Sequence, residues 1–124
     1  MMTITLPEGS YLASLYQDKR RNFETRRVYY EDGRVEAFDG KEWWTVCRFS
    51  NDQVTQAKTL AVELTKAQDL RSEGIYDTAS LTYAWRVNDT TGQVTNWAYP
   101  AKRHPIIKAL ETSLNELEAQ ARTV

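Results

Sequence analysis

The sequence predicts an α+β two-layer sandwich, an antiparallel sheet of β-meander and hairpin with two helices packed on one face. Three observations carry this. Two Asp-Gly dipeptides separate alternating runs between Arg27 and Phe49. A capping signature at Ser50 opens a helical repeat. A second alternating stretch from Leu81 leads into a second helical repeat. The order meander, helix, hairpin, helix reads as a loose pseudo-repeat of one unit. At 124 residues, with no Pro/Gly/Ser linker between the halves, residues 1–124 are expected to form a single domain.

Residues 10–23 admit two patterns. Tyr11, Leu12, Leu15 and Tyr16 fit one face of a short helix, whereas Tyr11, Ala13 and Leu15 alternate as a strand does. The strand is adopted here, leading into the meander, with residues 18–22 as a polar turn.

The next segment is clearer. Arg27-Val28-Tyr29-Tyr30-Glu31 faces Arg34-Val35-Glu36-Ala37-Phe38 across Asp32-Gly33, a strong two-residue hairpin signal. Asp39-Gly40 then leads into Trp43-Trp44-Thr45-Val46-Cys47-Arg48-Phe49, giving three strands. Two-residue loops would pair Tyr30 with Val35, Tyr29 with Glu36 and Glu36 with Trp43. Register fixes faces. One face would carry Val28, Tyr30, Val35, Ala37, Trp44 and Val46 as core. The other would carry Arg27, Tyr29, Glu31, Arg34, Glu36, Phe38, Trp43 and Thr45.

Ser50-Asn51-Asp52-Gln53 reads as a capping box, bracketed by Phe49 and Val54 as a hydrophobic staple. Val54, Ala57, Leu60, Ala61, Leu64 and Ala67 recur at helical spacing, with Arg71 and Gly74 as end signals. Leu81, Tyr83, Trp85 and Val87 alternate with polar or small residues, residues 88–92 turn the chain, and Val94 to Tyr99 return it. A last helix is expected to begin near His104-Pro105, with Ile107, Leu110, Leu114, Leu117 and Ala121 as its apolar stripe. Glu111, Asn115, Glu116 and Glu118 fall off that stripe.

Composition excludes several classes of function. A formal net charge of −1 provides no global field toward nucleic acid or an anionic membrane. The single cysteine, Cys47, rules out an intramolecular disulfide. The N-terminal residues lack a signal-peptide pattern, and no apolar run is long enough to span a bilayer, so a cytoplasmic location is expected. One Cys and one His cannot build a zinc cluster, and no glycine-rich phosphate loop, GxSxG, HExxH or CxxC is present. No metal or cofactor is therefore expected. A Cys47–His104 nucleophile pair would need the imidazole within hydrogen-bond reach of the thiol. The plainer view is a small strand side chain and a helix-flanking imidazole, so the chain is not expected to be an enzyme.

What remains is a surface. Arg27, Tyr29, Arg34, Phe38 and Trp43 would share the non-core face of the meander, and Tyr, Trp and Arg dominate interface hot spots. A protein partner or a second copy is the expected occupant of that face or of an open sheet edge. The alternative is single-stranded nucleic acid, held by Lys19, Arg20, Arg21, Arg26 and Arg27 with stacking on Tyr29 and Trp43. Acidic residues balance basic ones across residues 1–48, eight of each, which favours the protein partner.

The order of hairpins and helices resembles the layout of emfourin-like inhibitors of metalloproteases. The resemblance covers the order of elements over most of the chain and no motif. The glycine-rich N-terminal stretch of that family has no counterpart near Gly9 to Phe23. It implies inhibition as one form of partner binding, and no residue is carried over from it.

Overall fold

The structure, a computed structural model, describes residues 5–67, 79–98 and 103–122. Strands β1 (Ser10–Asp18), β2 (Phe23–Tyr30), β3 (Arg34–Phe38) and β4 (Trp43–Arg48) precede α1 (Asn51–Val62) and a 3₁₀ turn at Glu63–Lys66. Strands β5 (Ala79–Val87) and β6 (Thr90–Trp97) and helix α2 (Pro105–Arg122) follow. The six strands form one antiparallel sheet in the order β4-β3-β2-β1-β5-β6. The α+β sandwich is as the sequence predicts. The first unit has four strands, however, and its first strand lies inside the sheet, where it takes up β5 of the second unit.

Local chemistry explains the elements. Ser50 Oγ accepts from the Gln53 N–H at 3.2 Å while Gln53 Oε1 accepts from the Ser50 N–H at 2.9 Å, completing the capping box. Pro105 opens α2, and the His104 ring caps it, with Nδ1 accepting from the Ile106 N–H at 3.1 Å. The turn between β5 and β6 is tighter than residues 88–92, because Asn88 takes φ +55° and lets Val87 pair with Thr90. Helix α1 gives way to the 3₁₀ turn at Glu63. The expected end signals Arg71 and Gly74 lie outside the described residues.

Both helices pack on one face. Val54, Ala57 and Ala61 of α1 join Ile107, Leu110, Leu114 and Leu117 of α2 over Leu12, Tyr29, Val35, Tyr83, Trp85 and Val94. A smaller cluster of Ala13, Leu15, Val28 and Ala84, with Leu6 and Tyr30 against it, lies on the other face of the central strands. The middle of the sheet is therefore dry on both sides.

The register of the first hairpin corrects the sequence expectation. Tyr29 pairs with Val35, Val28 with Glu36 and Arg27 with Ala37. The loop has three residues, 31–33, with Gly33 at φ +98° and its N–H donating to the Tyr30 carbonyl at 2.9 Å. A three-residue loop with glycine in the left-handed position moves the pairing by one residue, and such a slip inverts every side chain of β2. The next loop also differs: Phe38 pairs with Trp43, because Asp39 Oδ1 accepts from the N–H groups of Lys41 and Glu42 and closes a four-residue turn. That two-residue change preserves faces. Val46 is the extra residue of a bulge that lets Cys47 pair with Val35.

Candidate functional site

The register splits the five surface residues chosen from the sequence. Arg34, Phe38 and Trp43 share the face of the sheet turned away from the helices, as expected. Arg27 and Tyr29 belong to the helix-covered face, which removes them from that surface. Phe38 and Trp43 are cross-strand neighbours with ring centroids 5.3 Å apart. Trp43 keeps 47% of its surface exposed and Trp44 46%. Both stand on β4, which pairs only with β3 and is an edge of the sheet. Trp43 points away from the helices and Trp44 toward them, so the edge strand carries an indole on each side. Arg34 sits at the far end of β3, ion-paired to Asp32 at 3.0 Å and stacked 4.2 Å over the Tyr30 ring.

Tyr29 has another role. Its hydroxyl donates to Glu118 Oε2 at 2.7 Å, and Arg27 Nη1 donates to Glu118 Oε1 at 2.7 Å. Burial, then the Glu118 charge, pushes the Tyr29 phenol well above its usual range, so it stays a donor. This three-residue cluster ties α2 to β2. Glu118 was the least legible of the three, since a glutamate off the apolar stripe reads as solvated. Its position four residues after Leu114, a stripe residue, was the available signal.

Helix α2 crosses the sheet obliquely. The His104 N–H, just before its first residue, donates to Asn96 of β6, whereas Glu118 reaches Arg27 and Tyr29 of β2. Beside the first half of α2 the sheet is open, and a cleft of about 380 Å³ remains. Its floor is one rung of the sheet, Trp44, Ala37, Arg27, Ser14 and Tyr83, each paired with the next across β4, β3, β2, β1 and β5. Ala37 and Ser14 are short, and their neighbours are long, which hollows the floor. Tyr16, Thr25 and Leu81 continue it, and Arg103, Glu111, Leu114 and Asn115 form the helix wall.

The charges around the cleft are mostly spent. Arg103 is paired with Glu111 and donates to the carbonyls of Trp97 and Ala98. Arg27 has its carboxylate partner in Glu118. Tyr83 is 5% exposed, and burial, then the charge of Glu111, raises its phenol. Among the described residues, no hydrogen bond engages the side chain of Ser14, Thr25 or Tyr83.

Three of the five basic residues of the segment are ion-paired within the domain. Arg21 binds Asp18 at 2.9 Å, Arg26 binds Glu24 at 2.8 Å, and Arg27 turns under α2 to Glu118. Cys47 and His104 lie toward opposite ends of α2. The thiol senses Glu118 and Arg122, while His104 precedes Pro105. Fourteen residue steps from 104 to 118 span about 21 Å at about 1.5 Å each. His104 Nδ1 is also occupied by the Ile106 N–H. The structure does not bring the two together.

Among the described residues, no helix is long and apolar enough to cross a membrane. No group of three or more His, Cys, Asp or Glu among them is arranged to hold a metal ion. Comparison with protein-family models, with curated proteins and with solved structures finds no match to this chain.

Proposed function

We propose that the protein is a non-enzymatic binding module, cytoplasmic and regulatory or inhibitory in role, that docks a partner protein along β4. One observation carries the proposal: two adjacent, half-exposed tryptophans on an edge strand whose outer side is open, one on each side of the sheet. An edge strand offers unsatisfied N–H and C=O groups to an extended segment, and alternate side chains of that segment fall on opposite faces. Phe38 with Trp43 would receive one set and Trp44 the other. Aromatic anchors of this kind supply large contact area at small entropic cost. Arg34, held by Asp32 and Glu36, would lie at the rim. A second copy of the chain is the simplest partner, since open edges pair with one another.

The pairing of Arg21, Arg26 and Arg27 with carboxylates of the same domain supports a protein partner over single-stranded nucleic acid. The test is capture of binding proteins by wild type and by Trp43→Ser, with melting temperatures measured for both and sedimentation to detect self-association. A protein or a dimer present with wild type and lost with a stably folded Trp43→Ser supports the proposal. Equal capture by both, or salt-sensitive retention of single-stranded nucleic acid alone, overturns it.

A further inference from the structure

We propose that the cleft between α2 and the Trp44–Ala37–Arg27–Ser14–Tyr83 rung is a binding site for a small, uncharged, planar heterocycle carrying carbonyl acceptors, of nucleobase or nucleoside size. This site shares Trp44 with the β4 edge surface, but its ligand and its test do not rest on that surface.

Four features of the cleft define that ligand. The first is size: about 380 Å³ falls in the range of about 300–1,000 Å³ typical of small-molecule sites. The second is the Tyr83 hydroxyl, which lines the cleft without a hydrogen-bond partner among the described residues, on a side chain that is otherwise buried. No protein group among them uses that donor, so it is available to a ligand acceptor.

The third is the supply of donors. Arg27 gives Nη1 to Glu118, and its other N–H groups have no partner among the described residues. With the hydroxyls of Ser14, Thr25 and Tyr83, the floor is rich in donors and suits carbonyl oxygens. The fourth is charge. Arg26, Arg27 and Arg103 each hold a glutamate, and Asp39 stands at the rim, so no net positive field favours an anion. Neutral hydrogen bonds are the capacity left over. Trp44, half exposed, and Tyr16 add aromatic faces on which a flat ring can stack.

Small side chains make the space, so filling it is the direct test. Uridine serves as the probe, with inorganic phosphate and citrate as anionic comparators. Amide chemical shifts at Ser14, Arg27 and Tyr83 and titration calorimetry report binding to wild type, Ser14→Val and Tyr83→Phe. The expected result is saturable uridine binding, with shifts confined to the cleft. Tyr83→Phe should weaken it about 3- to 10-fold, the loss of one hydrogen bond. Ser14→Val should weaken it further. Tyr83→Phe deletes one oxygen and keeps the ring, so it remains informative if Ser14→Val folds poorly. Absence of saturable uridine binding, binding unchanged in Tyr83→Phe, or tighter binding of phosphate or citrate than of uridine would each overturn the assignment.

Discussion

The Tyr29 hydroxyl donates to the buried carboxylate of Glu118 at 2.7 Å, and this bond joins the middle of the sheet to the last turns of α2. Glu118 has a second donor in Arg27 at 2.7 Å. Hydrogen bonds to a charged group contribute about 1.5–3 kcal/mol, and a carboxylate stripped of a donor in a dry interior keeps its desolvation cost. Tyr29→Phe should therefore destabilise the protein by about 1.5–3 kcal/mol in urea unfolding, although it removes one oxygen and leaves the packing intact. Glu118→Gln should cost less in the Tyr29→Phe background than in wild type, because the Tyr29 bond to the carboxylate is already lost while the Arg27 pair is lost in both. A double variant as unstable as the sum of the two single variants would mean the residues act independently.

How far the sequence could lead is clear from this same residue. Alternation, the capping box and the two helical stripes identified the layers, since each is a local pattern. A two-residue Asp32-Gly33 loop places Tyr29 on the open face. The actual loop adds Glu31, and nothing local distinguishes the two loop lengths. A single residue of slip decides which face β2 presents. Phe38 and Trp43 survived because their loop changed by two. The cleft was invisible for another reason. Its rung joins residues from five strands, and the β1–β5 pairing that completes it links residues about 70 positions apart in sequence.

Two glycines with similar backbone angles should respond differently to alanine. Gly9 takes φ +81° and Gly33 φ +98°. A Cβ at Gly9 would meet nothing within 4 Å, whereas one at Gly33 would lie 2.4 Å from the Phe49 carbonyl oxygen. Positive φ costs an L-residue about 1–2 kcal/mol. Gly9→Ala should show that cost alone. Gly33→Ala should add about 1–3 kcal/mol for displaced backbone. The two melting curves, compared side by side, check this. Equal losses would mean that the hairpin end yields freely.

Acid should weaken the fold through carboxylates in the turns. The Arg21 side chain holds Asp18 below its ordinary value of 3.8. The Arg34 backbone N–H does the same for Asp32, and the N–H groups of Glu42 and Lys41 for Asp39. Each folded value lies below the unfolded one. Their contribution is thus complete above 3.8 and is lost as pH falls through the lowered folded values. Urea midpoints should fall between pH 4 and pH 2, and Asp39→Asn should flatten that slope while keeping the turn acceptor. An unchanged slope in Asp18→Asn and Asp39→Asn alike would assign the acid sensitivity to other groups.

Cys47 offers the sharpest check on whether thiol chemistry belongs to this protein. Its side chain is buried beneath α2, and burial first, then the negative charge of Glu118, raises its thiol above the ordinary value. A nucleophilic cysteine needs the opposite environment, one that favours the thiolate. Iodoacetamide at pH 7 should therefore modify folded protein at least about tenfold more slowly than free cysteine. Unfolding in urea should remove the protection. Glu118→Gln, which deletes the repelling charge and keeps the side-chain shape, should speed the reaction of the folded state by a smaller amount. Alkylation of the folded wild type as fast as free thiol would contradict this environment. It would also bring cysteine-dependent catalysis back as a reading of the chain.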